Sequence, residues 1–331
     1  MNFVSRRHRR PHRRALRAVT ALVAVATPLA CGSDRPRASR EGATSVTAGS
    51  VLPITASFYP LQFVVEQIGG DLVTVENLTP AGVEPHDVEL TGEDIASLQD
   101  AVAVFYLAGF SPAVDDAVAA VAGGRAVDVT GSARLDLEAI SGDEEGEDAA
   151  AGGGDVRNGD DPHFWLDPTR LSEVADLVAE RLRVLVPDDA AELAQNAATL
   201  RSQLAALDAE LKSGLADCSN RAIVTSHTAF GYLAERYGLT QLGISGLSPD
   251  EEPSSADVAA AAQFVRDNDV TTIYYETLVD PAVAEIIASE AGSATAVLDP
   301  IEGLTDGSAG ADYFAVMRSN LATLRRGQGC R

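Results

Sequence analysis

From residue 51 onward, short apolar segments alternate with segments whose apolar residues recur at helical spacing. Continuous apolar runs such as 102–107 are typical of strands buried in parallel sheets, and the helices between them indicate repeated strand–helix units. The pattern predicts strands at 51–58, 72–78, 102–107, 126–129, 222–226, 241–245, 271–275 and 296–298, and helices at 61–68, 91–100, 112–122, 169–186, 188–215, 229–237, 256–268, 281–291 and 312–325. The fold class that follows is α/β, with two lobes built from parallel sheets flanked by helices.

One predicted helix is much longer than the others. Between residue 188 and about residue 215, six leucines and Ala197 recur at steps of three and four, which forms a single apolar stripe. At 1.5 Å per residue this helix would span roughly 40 Å. We therefore expect residues 188–216 to form one long rigid helix that connects an N-terminal lobe, residues 51–187, to a C-terminal lobe, residues 217–331.

The first thirty residues have the pattern of an export signal. Seven arginines between positions 6 and 17 precede the apolar run 18–26, and small residues follow, which predicts a secretory signal peptide over 1–30. A basic nucleic-acid-binding arm is the alternative, but the apolar run directly behind the arginines argues against it. Cys31 resembles the lipid-modified cysteine of bacterial lipoproteins, although Pro28 stands where such signals usually carry leucine. Residues 31–50 then form a flexible tether.

Removal of the signal peptide makes the chain strongly acidic. The full chain carries 25 basic and 49 acidic residues, and because seven of the arginines lie in 1–30, the mature part has 18 basic residues and a net charge of −31. Such a chain repels phosphate backbones and anionic lipid surfaces, which argues against nucleic-acid binding. It attracts cations, as a metal-binding protein would, but so does any acidic protein.

Two cysteines remain once Cys31 is assigned to a lipid anchor. An even pair in an oxidising compartment predicts a disulfide between Cys218 and Cys330, which would attach the end of the chain to the start of the C-terminal lobe. Two buried free thiols are the alternative.

Residues 141–161 interrupt the alternating pattern within the N-terminal lobe. The segment is acidic and rich in glycine, with nothing to bury, so we expect a mobile surface loop.

Three histidines, His86, His163 and His227, remain after processing. His86 and His227 follow predicted strands. His163 lies between two prolines, just before the long helices. Ligands of open α/β sheets gather outside the carboxyl ends of strands, so the three could share one metal in the cleft between the lobes. Each could equally be a structural histidine bonded within its own loop, and their spacing leaves this open.

Five segments together resemble a known family. They are ASFYP at 56–60, PAGVEPHD at 80–87, DPHFWLDP at 161–168, TSHTAFGYLAERYGL at 225–239 and DPIEGLT at 299–305. In this order they resemble the zinc-uptake solute-binding proteins of bacterial ABC transporters, and the resemblance covers roughly residues 51–331. It implies two lobes joined by a long helix and a high-affinity receptor that is not an enzyme.

The resemblance also implies the ligands of the metal. His86, His163 and His227 match the family's zinc-binding histidines, and Glu302 matches the carboxylate of the four-ligand branch, holding one Zn²⁺ per chain as the transported ligand. The alternative for Glu302 is a solvated loop carboxylate.

Three other acidic residues compete for a role near the site. Glu84 and Asp87 flank His86 and are candidates either for ligation or for orienting its ring as hydrogen-bond acceptors, and Glu276 is a weaker candidate. The family's histidine-rich loop is absent, since 141–161 contains no histidine.

The expected partner is the membrane permease of an ABC importer, contacted by a monomeric receptor on the outer face of the cytoplasmic membrane. Zinc is preferred because manganese-binding relatives carry a carboxylate where this chain has His227, and imidazoles suit zinc. The alternatives are a manganese or other transition-metal receptor of the same fold, a zinc hydrolase and an adhesin. The sequence has no HExxH pair to support a hydrolase.

Overall fold

A computed structural model describes residues 51–138, 160–249 and 252–331. Within these ranges, eight strands form two four-stranded parallel sheets. They are β1 (Leu52–Ala56), β2 (Val73–Asn77), β3 (Ala103–Tyr106), β4 (Ala126–Asp128), β5 (Ala222–Thr225), β6 (Thr240–Gly243), β7 (Thr272–Tyr275) and β8 (Ala294–Val297). The sheets share one strand order, β2-β1-β3-β4 and β6-β5-β7-β8. The predicted class of two parallel α/β lobes is confirmed.

The helices of the described residues follow the predicted segments closely. They are α1 (Tyr59–Gly69), α2 (Gly92–Asp100), α3 (Pro112–Ala117), α4 (Thr130–Ala133), α5 (Pro168–Leu185), α6 (Ala190–Gly214), α7 (Gly231–Tyr237), α8 (Ser255–Asp267), α9 (Ala282–Ala291) and α10 (Tyr313–Gly327). Local sequence determines where two of the helices begin, because Thr91 and Ser254 form capping boxes at the N-termini of α2 and α8. The segment predicted as one helix at 112–122 is divided, because α3 continues as a π-helical turn over Val118–Ala122.

The long helix α6 packs along both lobes. Its buried stripe is Leu193, Ala197, Leu200, Leu204, Leu207 and Leu211, and it contacts α5 and α1 of the N-terminal lobe as well as α10 of the C-terminal lobe. The ring of Phe63 in α1 also lies 5.4 Å from that of Tyr313 and 5.5 Å from that of Phe314. Buried residues of both lobes thus form one continuous apolar core, and separating the lobes would expose it to water.

Several predictions concern residues outside the described ranges. These are the signal peptide, the tether, Cys31 and all but the last two residues of the predicted acidic loop. No helix among the described residues has the length and apolar character needed to cross a membrane.

A disulfide joins Cys218 to Cys330, as predicted. Cys218 lies just before β5, and Cys330 follows α10, so the bond attaches the end of the chain to the amino-terminal edge of the second sheet. The backbone around it is also paired, with Ser219 N and Asn220 N both donating to Gln328 O.

Removing this disulfide should destabilise the protein without affecting the opposite edge of the sheet. The bond closes a segment of 112 residues, so a Cys218→Ser/Cys330→Ser variant should lose about 2–5 kcal/mol of the free energy of unfolding. Urea unfolding of the variant and the oxidised parent measures the loss. An unchanged unfolding midpoint would contradict a stabilising role.

Candidate metal centre

His86, His163, His227 and Glu302 come together at one point between the two sheets. Nε2 of His163 lies 3.1 Å from Oε1 of Glu302, 3.3 Å from Nε2 of His227 and 3.4 Å from Nε2 of His86. Oε1 of Glu302 lies 3.5 Å from Nε2 of His227 and 3.7 Å from Nε2 of His86. The four atoms all lie within 4.8 Å of one another.

Each lobe contributes two of these side chains. All four lie at the edge of the sheets where the strands have their carboxyl ends. His227 follows β5 by two residues, and Glu302 follows β8 by five. His86 lies in the segment between β2 and α2, and His163 in the segment that enters α5. This is the edge at which open parallel sheets bind ligands, and β5, which leads to His227, lies at the point where the strand order reverses.

The distances match a tetrahedral metal site. Ligand atoms placed 2.0–2.1 Å from a tetrahedral zinc ion are separated from one another by about 3.3–3.4 Å. Five of the six separations, from 3.1 to 3.7 Å, bracket that value, and the sixth, between His86 and His227, is within 4.8 Å. Three imidazole nitrogens and one carboxylate oxygen are also the donors that zinc accepts.

Buried carboxylates lie against the opposite nitrogen of two histidine rings. Nδ1 of His163 lies 2.8 Å from Oδ1 of Asp161, and Nδ1 of His227 lies 2.7 Å from Oε2 of Glu276. A carboxylate at Nδ1 holds the proton there and leaves the lone pair on Nε2. When both rings are neutral, two Nε2 lone pairs are therefore directed at the point shared with Glu302, where a cation takes the place of the protons that these nitrogens otherwise carry.

His86 is positioned differently. Its ring packs edge-on against Phe110, with centroids 4.4 Å apart, and its backbone N–H donates to Oε1 of Glu84 at 3.2 Å. That same oxygen lies 4.0 Å from Nε2 of His86, the ring nitrogen that faces Glu302. Asp87 is exposed and makes no described hydrogen bond or ion pair with His86. Of the two residues predicted to orient this ring, Glu84 contacts its backbone and Asp87 does not reach it.

An aromatic cluster supports the N-terminal side of the site. Trp165 packs 4.9 Å from Phe58 and 5.7 Å from Phe110, measured between ring centroids. It also lies 5.2 Å from the ring of His163. Phe58 follows β1 and Phe110 follows β3, so the neighbouring strands of the first sheet together provide this surface. No pattern in the sequence identified it, because the contacts join distant segments.

The buried histidines and carboxylates of the cluster shift one another's pKa values. Burial disfavours the carboxylate of Glu302, but hydrogen bonds from the three histidines outweigh it and hold the pKa of Glu302 well below its usual value. Burial also disfavours the imidazolium of His227, yet the charge of Glu276 and the hydrogen bonds with Glu276 and Glu302 together outweigh it and raise the pKa of His227 well above 6.5. The pKa of His163 is raised despite its burial, through hydrogen bonds with Asp161 and Glu302.

For His86 and Glu84, burial decides the direction in which the pKa is shifted. Burial lowers the pKa of His86, only partly offset by Glu302. Burial and then the negative charge of Glu302 raise the pKa of Glu84 to about 9. At neutral pH, Glu84 is therefore protonated in the metal-free protein, while Glu302 is ionised.

The structure corrects the predicted role of Asp161. The sequence placed it at the end of a loop with nothing to bury, but its side chain is buried and accepts from the backbone N–H of His163 at 2.9 Å. Its carboxylate packs against Gly231, where a Cβ would collide with it unless the carboxylate moved. Its position two residues before His163, preceding a proline, is the local signal of such a turn.

Comparison with known proteins places the chain in a family. Residues 54–327 match the sequence profile of ZnuA, the zinc-uptake complex component A, periplasmic. The chain belongs to this family. ZnuA-family proteins are metal-binding solute-binding proteins and not an enzyme family.

Relatives agree along most of the chain. The zinc-binding protein AdcA of Streptococcus pyogenes serotype M6 is 36% identical over 294 residues, covering 86% of this chain. The high-affinity zinc uptake system protein ZnuA of Bacillus subtilis strain 168 is 34% identical over 299 residues, covering 89% of this chain and 92% of the relative. The Zn(II)-bound ZnuA-like domain of Streptococcus pneumoniae AdcA superposes with a TM-score of 0.68 at 33% identity, covering 84% of this chain and 99% of that domain.

The chain spans only 57% of the length of the Streptococcus pyogenes AdcA protein that it matches. The Bacillus subtilis relative and the Streptococcus pneumoniae domain, by contrast, are matched over nearly their whole length. The similarity to AdcA therefore concerns its ZnuA-like part.

Proposed function

We propose that this protein is an extracytoplasmic receptor that binds one Zn²⁺ through His86, His163, His227 and Glu302 and delivers it to an ABC importer. The observation that carries the proposal is the convergence of three imidazole nitrogens and one carboxylate oxygen within 4.8 Å of one another, with five of the six separations close to those of a tetrahedral zinc site. Family membership and the zinc-binding names of the relatives support it. Zinc is the transported ligand, so tight and reversible binding is what the site has to provide.

Zinc is favoured over manganese by the donor set. Manganese prefers oxygen donors and six-fold coordination, whereas this site offers three nitrogens at separations suited to a tetrahedron. His227 is the decisive residue, since its buried ring supplies nitrogen at the position that the C-terminal lobe contributes directly after β5.

Family membership supports a location outside the cytoplasm and an importer permease as the partner. The chain is exported and held by a lipid at Cys31 on the outer face of the cytoplasmic membrane, where it acts as a monomer and meets the membrane permease of the importer. The basic and apolar N-terminal pattern, and the lipoprotein name of the Streptococcus pneumoniae relative AdcA, support this arrangement. The permease receives the ion through local movement of the loops that carry the ligands, because the continuous core opposes separation of the lobes.

Catalysis is not part of the proposal. A catalytic zinc keeps an open position for water or substrate, whereas four protein ligands close the tetrahedron. Zinc-loaded protein incubated with ester and peptide substrates should show no metal-dependent turnover. Sustained turnover that disappears on chelation would favour a hydrolase instead.

Elemental analysis combined with competitive metal titration tests the proposed function. The metal-stripped protein should take up one zinc per chain, and zinc should displace manganese from it. Titration against a chelator of known affinity gives the dissociation constant for each metal. Absence of stoichiometric zinc, or tighter binding of manganese, would contradict the proposal.

The two carboxylates at Nδ1 should contribute to affinity without touching the metal. Asp161→Asn and Glu276→Gln keep the shape of each side chain but remove the charge that holds the Nδ1 proton, so zinc affinity should fall about 10- to 100-fold in each. Asp160→Asn, one residue from Asp161, is the matched control, because Asp160 makes no described contact with His163. Equal affinities in Asp161→Asn and Asp160→Asn would rule out this role.

A further inference from the structure

The segment that presents Glu302 has a strained backbone. Ile301 has a φ of +60°. Among the described residues, three that are not glycine have a positive φ, and Ile301 is the only β-branched one of them. The left-handed region is unfavourable for branched side chains because Cβ and its substituents crowd the backbone. Such a conformation persists only where the surroundings hold it, and such sites are frequently functional.

Three side chains hold the backbone on the amino-terminal side of Glu302. Asn320 in α10 pairs twice with Asp299: the N–H of Asp299 donates to Oδ1 of Asn320 at 3.0 Å, and Nδ2 of Asn320 donates to the carbonyl of Asp299 at 2.6 Å. The N–H of Ile301 donates to Oδ1 of Asp299 at 2.8 Å. The indole N–H of Trp165 donates to the carbonyl of Pro300 at 2.7 Å. Asn320, Asp299, Trp165 and Ile301 are all buried.

These contacts also join the Glu302 segment to the His163 segment. Trp165 lies two residues after His163 and packs against its ring, while its own carbonyl accepts from the hydroxyl of Tyr313 at 2.7 Å. Tyr313 and Asn320 both belong to α10. One helix of the C-terminal lobe therefore fixes a ligand segment from each lobe relative to the other.

We propose that Asn320, together with Trp165, is a positioning residue for Glu302. By pairing with Asp299 it holds Ile301 in the left-handed conformation, so that the carboxylate completes the site before the metal arrives. Without this pairing, Ile301 relaxes to negative φ and the following residue turns away from the three histidines. This inference rests on the zinc-binding function proposed above. It means that the position of the fourth ligand depends on a residue that does not contact the metal.

Asn320→Leu tests the proposal against a matched control. The substitution keeps the approximate shape of the side chain and removes both hydrogen bonds. Gln328→Leu is the control: Gln328 is an equally buried amide directly after α10, and it bonds to the carbonyl of Ala222 at 2.8 Å and to the hydroxyl of Tyr274 at 2.9 Å, on the edge of the sheet away from the metal. We expect both to lower the unfolding midpoint and Asn320→Leu alone to raise the zinc dissociation constant about 10- to 100-fold.

A double-variant comparison separates positioning from general destabilisation. If Asn320 acts through Glu302, the variant Asn320→Leu/Glu302→Ala should bind zinc no more weakly than Glu302→Ala alone. The visible spectrum of bound Co²⁺ should also be the same in Asn320→Leu and in Glu302→Ala, and different from that of the parent. Zinc affinity equal to that of Gln328→Leu, or losses that multiply in the double variant, would overturn the proposal. A parent protein that binds no zinc would instead refute the proposed function.

Trp165→Phe provides an independent variant that removes the bond to Pro300 but keeps an aromatic ring in the cluster. We expect weaker zinc binding in the otherwise unchanged chain and no further loss in the Glu302→Ala background. If Asn320→Leu does not fold, this pair of measurements decides the question. Unchanged zinc affinity in Trp165→Phe would then overturn the proposed positioning of Glu302.

Discussion

Replacing His163 by alanine should weaken zinc binding more than any other single ligand substitution, by more than about 100-fold. A substitution beyond the first coordination layer already costs 10- to 100-fold, and His163 occupies the centre of the cluster. Its Nε2 is within 3.1–3.4 Å of all three other ligand atoms. Its loss also leaves the buried carboxylate of Asp161 without its ring partner, which opposes rearrangement into a three-ligand site.

Competitive titration against a chelator measures this loss, and the shift in thermal midpoint on adding zinc gives a second readout. Asp87→Asn serves as the control, since Asp87 is an acidic neighbour of His86 that is exposed to solvent. It should bind zinc as the parent does. The metal-free His163→Ala protein should still unfold cooperatively, which establishes that the fold is intact. Tight zinc binding by His163→Ala would show that the four residues do not form the site.

The fold was predictable because its signals are local. Parallel strands are buried on both faces and therefore read as continuous apolar runs, and the stripe of α6 is visible over its whole length. The four-residue α4 was missed, because one turn is too short to show a period. The division of 112–122 was missed for a related reason, since a change to π-helical geometry leaves the apolar spacing of a short segment almost unaltered.

The sequence identified the four residues that the structure brings together, but not the side chains that position them. The three histidines could be placed near strand ends from the sequence, and the family motifs then indicated Glu302. The sequence indicated Glu276 only as a weaker candidate, not as the partner of His227. Glu276 reaches Nδ1 of His227 because β5 and β7 are adjacent in the sheet, and local sequence patterns do not reveal the order of strands. The bond from Trp165 to Pro300 crosses 135 positions for the same reason.

Zinc affinity should fall steeply as the pH is lowered, and the loss should begin above pH 6.5. The raised pKa values of His163 and His227 mean that in the metal-free protein each ring is more than half protonated at pH 6.5. Zinc needs their free lone pairs, so it has to displace these protons. With two protons released per ion, affinity should drop about 100-fold per pH unit below the raised values. Glu302 stays ionised throughout, because its pKa is well below 4.5.

The metal-free protein should show the opposite trend in stability. A group whose pKa is raised by folding stabilises the folded state below its unfolded value, and this contribution is lost as the pH rises through the folded value. His163 and His227 therefore stabilise the metal-free fold in acid, where their protons take the place of the metal's charge beside Asp161, Glu276 and Glu302.

Thermal midpoints between pH 5.5 and 8 should show a zinc-induced increase that is small at the acidic end and large at the alkaline end. Calorimetry in buffers of different ionisation enthalpy counts the protons released. A zinc affinity that does not change between pH 5.5 and 8, with no protons released, would mean that the rings are already neutral, and that the carboxylates at Nδ1 do not control this site.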